Sequence, residues 1–496
     1  MPKPVLLATD IALFVLLAGL AVYVWHVRRT PSLRATWRSV LRDAPAMGAL
    51  VLLSACLLIA LLDSLHFRPL LAPAAGSAEH AAAAYSTRTY SVLDRLLRKQ
   101  MEGTERTYSA PLAYRSYSKE TIEVDGRPVR EFPRLAHGGV HLADPARQWL
   151  PDLLLRSAAG LAGGALAAVL LVTAVLAARA RATRTTFAAC WRTVWRRQTE
   201  VPLRAMLITG AAVLLLLGWV AALWPAYHVL GTDRTGNDVL CTALKSIRTA
   251  IVIGSLATLA TLPLAIVFGI LAGYFKGWVD DAIQYLYTVL SSIPGVLLIA
   301  AFVLMIQVWI DKHPELYETG LERADVRLLL LCVILGVTGW ATLCRLLRAE
   351  TLKLSELEYV QAARAFGVSD LGIMRRHVLP NVMHIVLIVA VLDFSGLVLY
   401  EAVLSYVGVG VDPTTPSYGS MFNLARTEMS RDPAVWWNLL AAFAFMLVLV
   451  LSANLFAGAV REAFDPRARA FRPRLDHKRP AAAKPHASAA AAGEVP

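Results

Sequence analysis

Nowhere in these 496 residues does a glycine precede a lysine. The loop G-x-x-x-x-G-K-[S/T], whose backbone cradles phosphates, is therefore missing, and nucleotide binding of that kind is excluded. Cysteine is sparse too. Cys56, Cys190, Cys241, Cys332 and Cys344 lie mostly inside or beside apolar runs, and none belongs to a C-x-x-C pair. A disulfide framework or thiolate metal site does not fit that spacing, whereas small buried hydrophobes do. No cluster of His, Asp, Glu or Cys gathers in one register, as a membrane-bound enzyme would need. His377 and His384 are scattered, and His137-Gly-Gly-Val-His141 reads either as a metal pair or, more commonly, as free surface histidines. Charge itself is scarce, at 17% of residues against 57% hydrophobic, too apolar for a soluble chain of this length.

What the sequence has instead is long apolar runs. They fall at 8–25, 46–63, 154–178, 205–224, 249–274, 284–309, 327–347, 383–408 and 437–460, nine in all. Each is close to the roughly 20 residues that a helix needs to cross a ~30 Å hydrocarbon core. The runs are continuous and do not alternate, which predicts helices and not barrel strands. The expected fold is an all-α, polytopic integral membrane protein of about nine transmembrane helices. The first run lacks a basic leader and a small-residue cleavage site. Its charge cluster, His26 to Arg29, comes after it, so a retained anchor is expected and not a signal peptide.

A formal net charge of +13 would suggest nucleic acid in a soluble protein, but its distribution points to a membrane. Segment 26–45 carries Arg28, Arg29, Arg34, Arg38 and Arg42 against Asp43 alone. Segment 179–204 carries seven arginines against Glu200, and the tail beyond Arg461 is again basic. Segment 64–153 mixes both signs nearly evenly. The positive-inside rule then places 26–45, 179–204 and the C-terminus in the cytoplasm and 64–153 outside. An odd number of crossings puts Met1 outside and, independently, 348–382 in the cytoplasm. Lipid is an expected partner; nucleic acid is not.

Composition divides the chain into five parts: an extension with two spans (1–63), an extracytoplasmic segment (64–153), a third span with a basic linker (154–204), a six-span core (205–467) and an Ala/Pro/Lys-rich tail expected to be disordered (468–496). Within the second part, Thr121, Ile122 and Val124, then Asp125-Gly126, then Val129 and Phe132 read as a hairpin, with Pro128 marking an edge strand. Trp37-Arg38-Ser39-Val40-Leu41-Arg42 is echoed by Trp191-Arg192-Thr193-Val194-Trp195-Arg196. Either two interfacial helices coincide, with Trp at the interface and Arg at the headgroups, or part of the chain is duplicated.

The stretch "SELEYVQAARAFGVSDLGIMRRHVLPNVMH" (355–384) is polar, yet ordered. Glu358 to Phe366 has no helix breaker, and Gly367 stops it as a C′ glycine would. Ser369-Asp370 reads as the N-cap of a second short helix over Leu371–His377, and Pro380 enters the next span within or just before its first turn. A helix–turn–helix at the membrane surface is a docking surface more readily than a linker.

These residues closely resemble the cytoplasmic "EAA" loop of ABC importer permeases, in which E-A-A, three residues, G and then I-x-L-P form the coupling helices. Gln361 stands at the E position, keeping its size without its charge, followed by Ala362, Ala363, Gly367, Leu379 and Pro380. Trp340, Arg345 and Arg348 match the flanks and narrow the likeness to the dipeptide/oligopeptide group. "LGTDRTGNDVL" (Leu230–Leu240) resembles that group's G-T-D-x-x-G-R-D-V-L, with Gly231, Thr232, Asp233, Gly236 and Asp238 in place and Asn237 for Arg. "LSYVGVGVDPTTPSYGSM" (404–421) and "NLFAGAVREAFDPR" (454–467) resemble two further group motifs, so the likeness runs over about 205–467. Residues 278–290 lack an Arg and an Asp that the group commonly shows, and residues 1–200 go beyond its usual plan.

The resemblance implies a type I ABC importer permease core of six helices in a bacterial inner membrane, importing peptides or related small solutes. It also implies a second homologous permease subunit, two cytoplasmic P-loop ATPases holding ATP and Mg, and an extracytoplasmic substrate-binding protein. This chain itself would hold no cofactor and no metal and would not be an enzyme. Arg364, Arg375 and Arg376 would face ATPase carboxylates or lipid headgroups, beside Asp370. Asp233 and Asp238 either bind something or cap the helix starting near Val239. Asp393 and Glu401 lie in one span, where acids are expensive, and either line a path or meet the partner permease. Trp436-Trp437 reads as a membrane-interface marker. The competing reading is a stand-alone secondary transporter or channel, which suits Asp393 but leaves the capped loop unexplained.

Overall fold

The computed structural model describes residues 3–70, 85–86, 88–124 and 127–464. The hairpin turn at Asp125-Gly126, the end of the closing motif (465–467) and the tail 468–496 lie outside them.

A three-residue strand, β1 (Lys3–Val5), leads into α1 (Ala8–Arg29), the short α2 (Pro31–Val40) and α3 (Ala44–Asp63). Asp43 starts α3 by accepting from the Ala46 amide at 3.1 Å, with Pro45 supplying a helical φ in the first turn. Strand β2 (His66–Arg68) then returns antiparallel to β1, and β3 (Tyr90–Ser91) pairs on its other edge. This ties the start of α1 to the end of α3. The segment 64–153 continues with α4 (Val92–Leu96), α5 (Arg98–Glu102) and the hairpin of β4 (Glu120–Val124) and β5 (Arg127–Glu131), in register from Glu120↔Glu131 to Val124↔Arg127. Phe132 falls just past the strand.

The chain re-enters through α6 (Pro145–Thr183), α7 (Phe187–Trp195) and α8 (Leu203–Leu223). A Cβ added to Gly160 would sit 2.7 Å from the Gly218 carbonyl, and one on Gly164 2.7 Å from that of Leu214. Lipid supplies no hydrophobic drive between helices, so such close backbone packing holds α6 to α8.

The core follows: α9 (Val239–Phe275), α10 (Gly277–Ser292), α11 (Gly295–Lys312), α12 (Gly320–Gly339), α13 (Ala341–Ser355), α14 (Glu358–Ala365), α15 (Asp370–Ile373), α16 (Leu379–Val407), α17 (Tyr418–Glu428) and α18 (Trp437–Phe464). Helix α9 is buried on nearly every side among α3, α12, α13, α16 and α18. Among the described residues eight helices are long and apolar enough to cross a membrane, and a ninth crossing is a bent pair.

Three runs differ from their expected form. The run 284–309 is broken at Pro294, which pushes Ile293 to an extended ψ of 133° and divides the segment between α10 and α11. The run 327–347 is the pair α12 and α13, bent by 42° after Gly339. Helix α9 begins ten residues before its apolar run, because Lys245 and Arg248 hide its first turns from a hydropathy reading.

The polypeptide sorts into two ends. One holds the β1–β2–β3 sheet, the rest of the segment 64–153, the α8–α9 loop and the α11–α12 loop, where Arg68 meets Glu318 and Glu322. The other holds α2, α7, the loop over 356–378 and the end of α18, where Trp37 packs edge-on against Phe464.

Candidate functional site

At the second end, α14 closes in a Schellman turn. Gly367, at φ +77°, donates to Arg364, and Val368 donates to Ala363 at 3.1 Å. Ser369 Oγ then accepts from the Gly372 amide at 3.3 Å and opens α15. The expected separate helix over Leu371–His377 takes another form. After Ile373 the backbone makes a five-residue π-turn, Met374–Val378, and runs on directly into α16. Pro380 sits in the first turn of α16, where its missing N–H costs little. The loop is thus one free helix plus the root of a membrane span.

Its inner side is anchored and its outer side is bare. Val360, Ile373 and Val378 are buried against Leu343, Cys344 and Leu347 of α13. Tyr274 Oη donates to Asp370 at 2.7 Å, Arg364 lies over the Tyr274 ring, and Lys276 pairs with Glu356. Arg348 grips Asp280 through two bonds of 2.5 and 2.6 Å, holding α10 to α13. Gln361 Nε2 donates to the Glu356 carbonyl at 3.2 Å, a bond an ionised glutamate could not make. Ala362, Arg375, Arg376 and Pro380 are exposed, and Ala363 and Leu379 are half-buried. At the tip, Phe366 is 88% exposed and Leu371 73%. Two large apolar side chains left exposed on capped turns form a knob.

The motif at the opposite end is a clasp. Thr232 Oγ1 donates to Thr107 and accepts from the Ser109 amide at 2.7 Å, and Glu105 donates its amide to the Gly236 carbonyl at 3.0 Å. A side chain at Gly236 would collide with the Glu105 backbone. Trp437 Nε1 donates to the Thr232 carbonyl at 3.0 Å, so this tryptophan is buried and not an interface marker; Trp436 is the exposed one. Asp238 caps α9 by accepting from Cys241 at 3.1 Å. Asp233 caps no helix; it accepts from Thr235 and Asn237 and shapes the turn between them.

Asp238 also accepts from His228 Nδ1 at 2.9 Å, while His228 Nε2 lies 3.4 Å from Glu105 without the alignment of a hydrogen bond. The Glu105 carboxylate accepts from the amides of Ala136, His137 and Gly138. Burial opposes charge on both groups and is outweighed. The flanking carboxylates lift His228 to about 9, and its imidazolium with the three amides pulls Glu105 down to about 2. The His228 contribution to stability is complete below its ordinary 6.5 and lost as pH rises through about 9. The Glu105 contribution is complete above 4.5 and lost as pH falls through about 2. Melting temperature against pH is therefore expected to peak between 4.5 and 6.5, and His228→Gln to remove the decline between 6.5 and 9. An unchanged alkaline limb in that variant would contradict the assignment.

Inside the spans the two acids part company. Glu401 is 1% exposed and accepts from Ser405 at 2.6 Å, so in this structure it is enclosed by its own chain. Asp393 is half-buried.

Residues 265–470 match the family model described as binding-protein-dependent transport system inner membrane component. Over that stretch the chain is similar to inner-membrane components of binding-protein-dependent transport systems. The glutathione transport system permease protein GsiD of Pectobacterium atrosepticum is 29% identical over 299 residues, 56% of this chain and 91% of its own. The oligopeptide transport system permease protein OppC of Mycobacterium tuberculosis is 29% identical over 49% of this chain and 78% of its own. The dipeptide transport system permease protein DppC of Lactococcus lactis is 27% identical over 49% and 64%. A solved inward-facing methionine ABC transporter covers 44% of this chain and 93% of its own at 18% identity, with a TM-score of 0.31, too weak a likeness to bear on the fold. The matched family is a transport component and not a catalytic subunit, the relatives are permeases of glutathione and peptide transport systems, and the helices and the match together support a multi-pass inner-membrane protein.

Helices α9 and α12 join the N-terminal segment through charges that sequence reading did not single out. Arg248 of α9 binds Asp10 of α1 at 2.6 Å and Ser64 at 3.1 Å, and lies 3.6 Å from Asp325 of α12. Thr9 donates to Asp325 through both its amide and its hydroxyl, and His66 meets Asp10 at 2.8 Å. Lys245 of α9 reaches Asp94 at 2.6 Å and Asp63 at 3.8 Å. The only sequence signals were Asp10 and Asp63 inside apolar runs, acids that in a membrane demand a partner.

Proposed function

We propose that this chain is the permease subunit of an importer for peptides or related small solutes, driven by separate P-loop ATPases that hold ATP and Mg. The exposed Phe366–Leu371 knob, rooted through the π-turn in α16, carries this reading. The knob would seat in an ATPase groove, with Arg375 and Arg376 near partner carboxylates or headgroups. Nucleotide closure would displace α15 and, because no loop intervenes, tilt α16 as a rigid element, giving alternating access. A second permease would cover the apolar face around Leu399, Val403, Tyr406, Phe422 and Met429. The knob end would be cytoplasmic with the C-terminus. The clasp end, with the N-terminus, would face outward to a substrate-binding protein.

Coexpression with a homologous permease, the ATPases and the binding protein in proteoliposomes tests this: peptide should accumulate only with ATP. Gly367→Val should insert normally, yet a β-branched residue at positive φ costs ~1–2 kcal/mol or more, lowering transport by about tenfold. Unchanged transport in that variant, or peptide uptake by this chain alone, would overturn the reading.

A further inference from the structure

Two similar Trp/Arg segments end differently in the fold. In α2, Trp37 donates to Tyr23 at 3.2 Å and packs edge-on against Phe464, so its indole is used within the chain. In α7 only one side is used. Cys190 and Val194 are buried against Leu176 of α6 and Leu207 of α8. Phe187, Trp191 and Trp195, spaced by four, are left exposed, and the two indoles stack at 5.0 Å with 13° between their planes. Arg204 lies over the Trp195 ring at 5.6 Å.

The surrounding charge has one sign. Arg181, Arg184, Arg192, Arg196 and Arg197 are all exposed, and none has an acidic partner among the described residues. Glu200 is the one carboxylate between 179 and 204. Arg184 and Arg197 hold left-handed positions, at φ 52° and 57°, one at the end of α6 and one just past α7. A glycine would sit there without steric cost, so positive charge is kept at both positions against a backbone preference of ~1–2 kcal/mol. Aromatic side chains on a short helix at a membrane end, ringed by unpaired arginines, match the boundary where acyl chains meet acidic headgroups.

We infer that α7 is a membrane-surface helix that binds anionic phospholipid headgroups through Arg192, Arg196 and Arg197, with Phe187, Trp191 and Trp195 set into the acyl boundary. The occupant is lipid phosphate, because charge complementarity and the aromatic stripe lie together on one helix. This inference stands apart from the transport reading.

The test is native mass spectrometry of the full chain released from micelles containing phosphatidylglycerol or phosphatidylcholine. The wild type should retain phosphatidylglycerol preferentially. R192Q/R196Q/R197Q should lose that preference by on the order of 100-fold, about fivefold per arginine. R197G separates binding from folding: it should melt no lower than wild type yet retain less phosphatidylglycerol. R95Q/R98Q, at the opposite end, should retain it as wild type does. Equal retention by the triple variant, or no headgroup preference in the wild type, would overturn the inference. So would undiminished phosphatidylglycerol retention with loss of a copurifying acidic protein, which would make the face a protein-docking surface.

Discussion

Phe366→Asp should release the ATPase subunits on purification while the permease folds and inserts as before. Phe366 touches little in its own chain, so its replacement removes almost no internal packing. In a partner groove, burying such a ring is worth about 1.5–3 kcal/mol, and a carboxylate forced into the same place adds an unpaired-charge cost of several kcal/mol. The combined loss corresponds to a fall in affinity of at least about 1,000-fold. Phe366→Leu, which keeps an apolar tip, should lose far less. Leu371→Asp should behave like the aspartate at 366, since both side chains belong to one knob across the Gly367 turn. Pull-down of the assembled transporter, with the melting temperature of the isolated permease as control, measures both quantities. Normal ATPase capture by the Asp variant would remove the knob from the coupling interface.

The second large effect belongs to the other end. Arg248→Met keeps the length of the side chain and removes its charge, leaving Asp10 and Asp325 facing each other in a buried site. Breaking one partner of such a network costs about 3–5 kcal/mol, because the remaining charges cannot reach water. Thermal unfolding in detergent should shift down accordingly, and protease should cut the extension more readily from the permease domain. Arg248→Met combined with Asp10→Asn and Asp325→Asn should regain most of the loss. Neutral groups of similar volume carry no desolvation penalty of that size. If the single variant melts with the wild type, the network does not hold the extension in place. If the triple variant stays as unstable as the single one, volume and not charge is responsible.

The loop over 356–378 was largely legible because its signals are local. Gly367 at a left-handed turn, Ser369 at an N-cap and Pro380 in a first turn are each decided by a few neighbouring residues. The continuation of α15 into α16 was not legible, since a π-turn leaves no mark in a polar stretch that reads equally well as a short separate helix. Gln361 looked like a weakened motif letter, yet its amide makes a bond that only the fold reveals. Glu401 and Asp393 looked alike in the sequence, and packing alone separated them.

By itself, the sequence determined that the protein is a bundle of membrane helices and where most of them run. Burial of an apolar run in lipid depends on composition within that run, and helix caps depend on residues three or four positions away. Only the tertiary structure decided which charges meet. Asp10 and Arg248 lie 238 positions apart, and no local rule joins them. It also decided that the Gly231–Asp238 motif is a clasp for the segment around Glu105–Ser109 and that Trp437 is internal. Of the two Trp/Arg segments, it left only the second free. Pairing at such distances is set by the packing of whole helices, and the cost of an unpaired charge in a low-dielectric interior makes each pairing obligatory once the helices are in place.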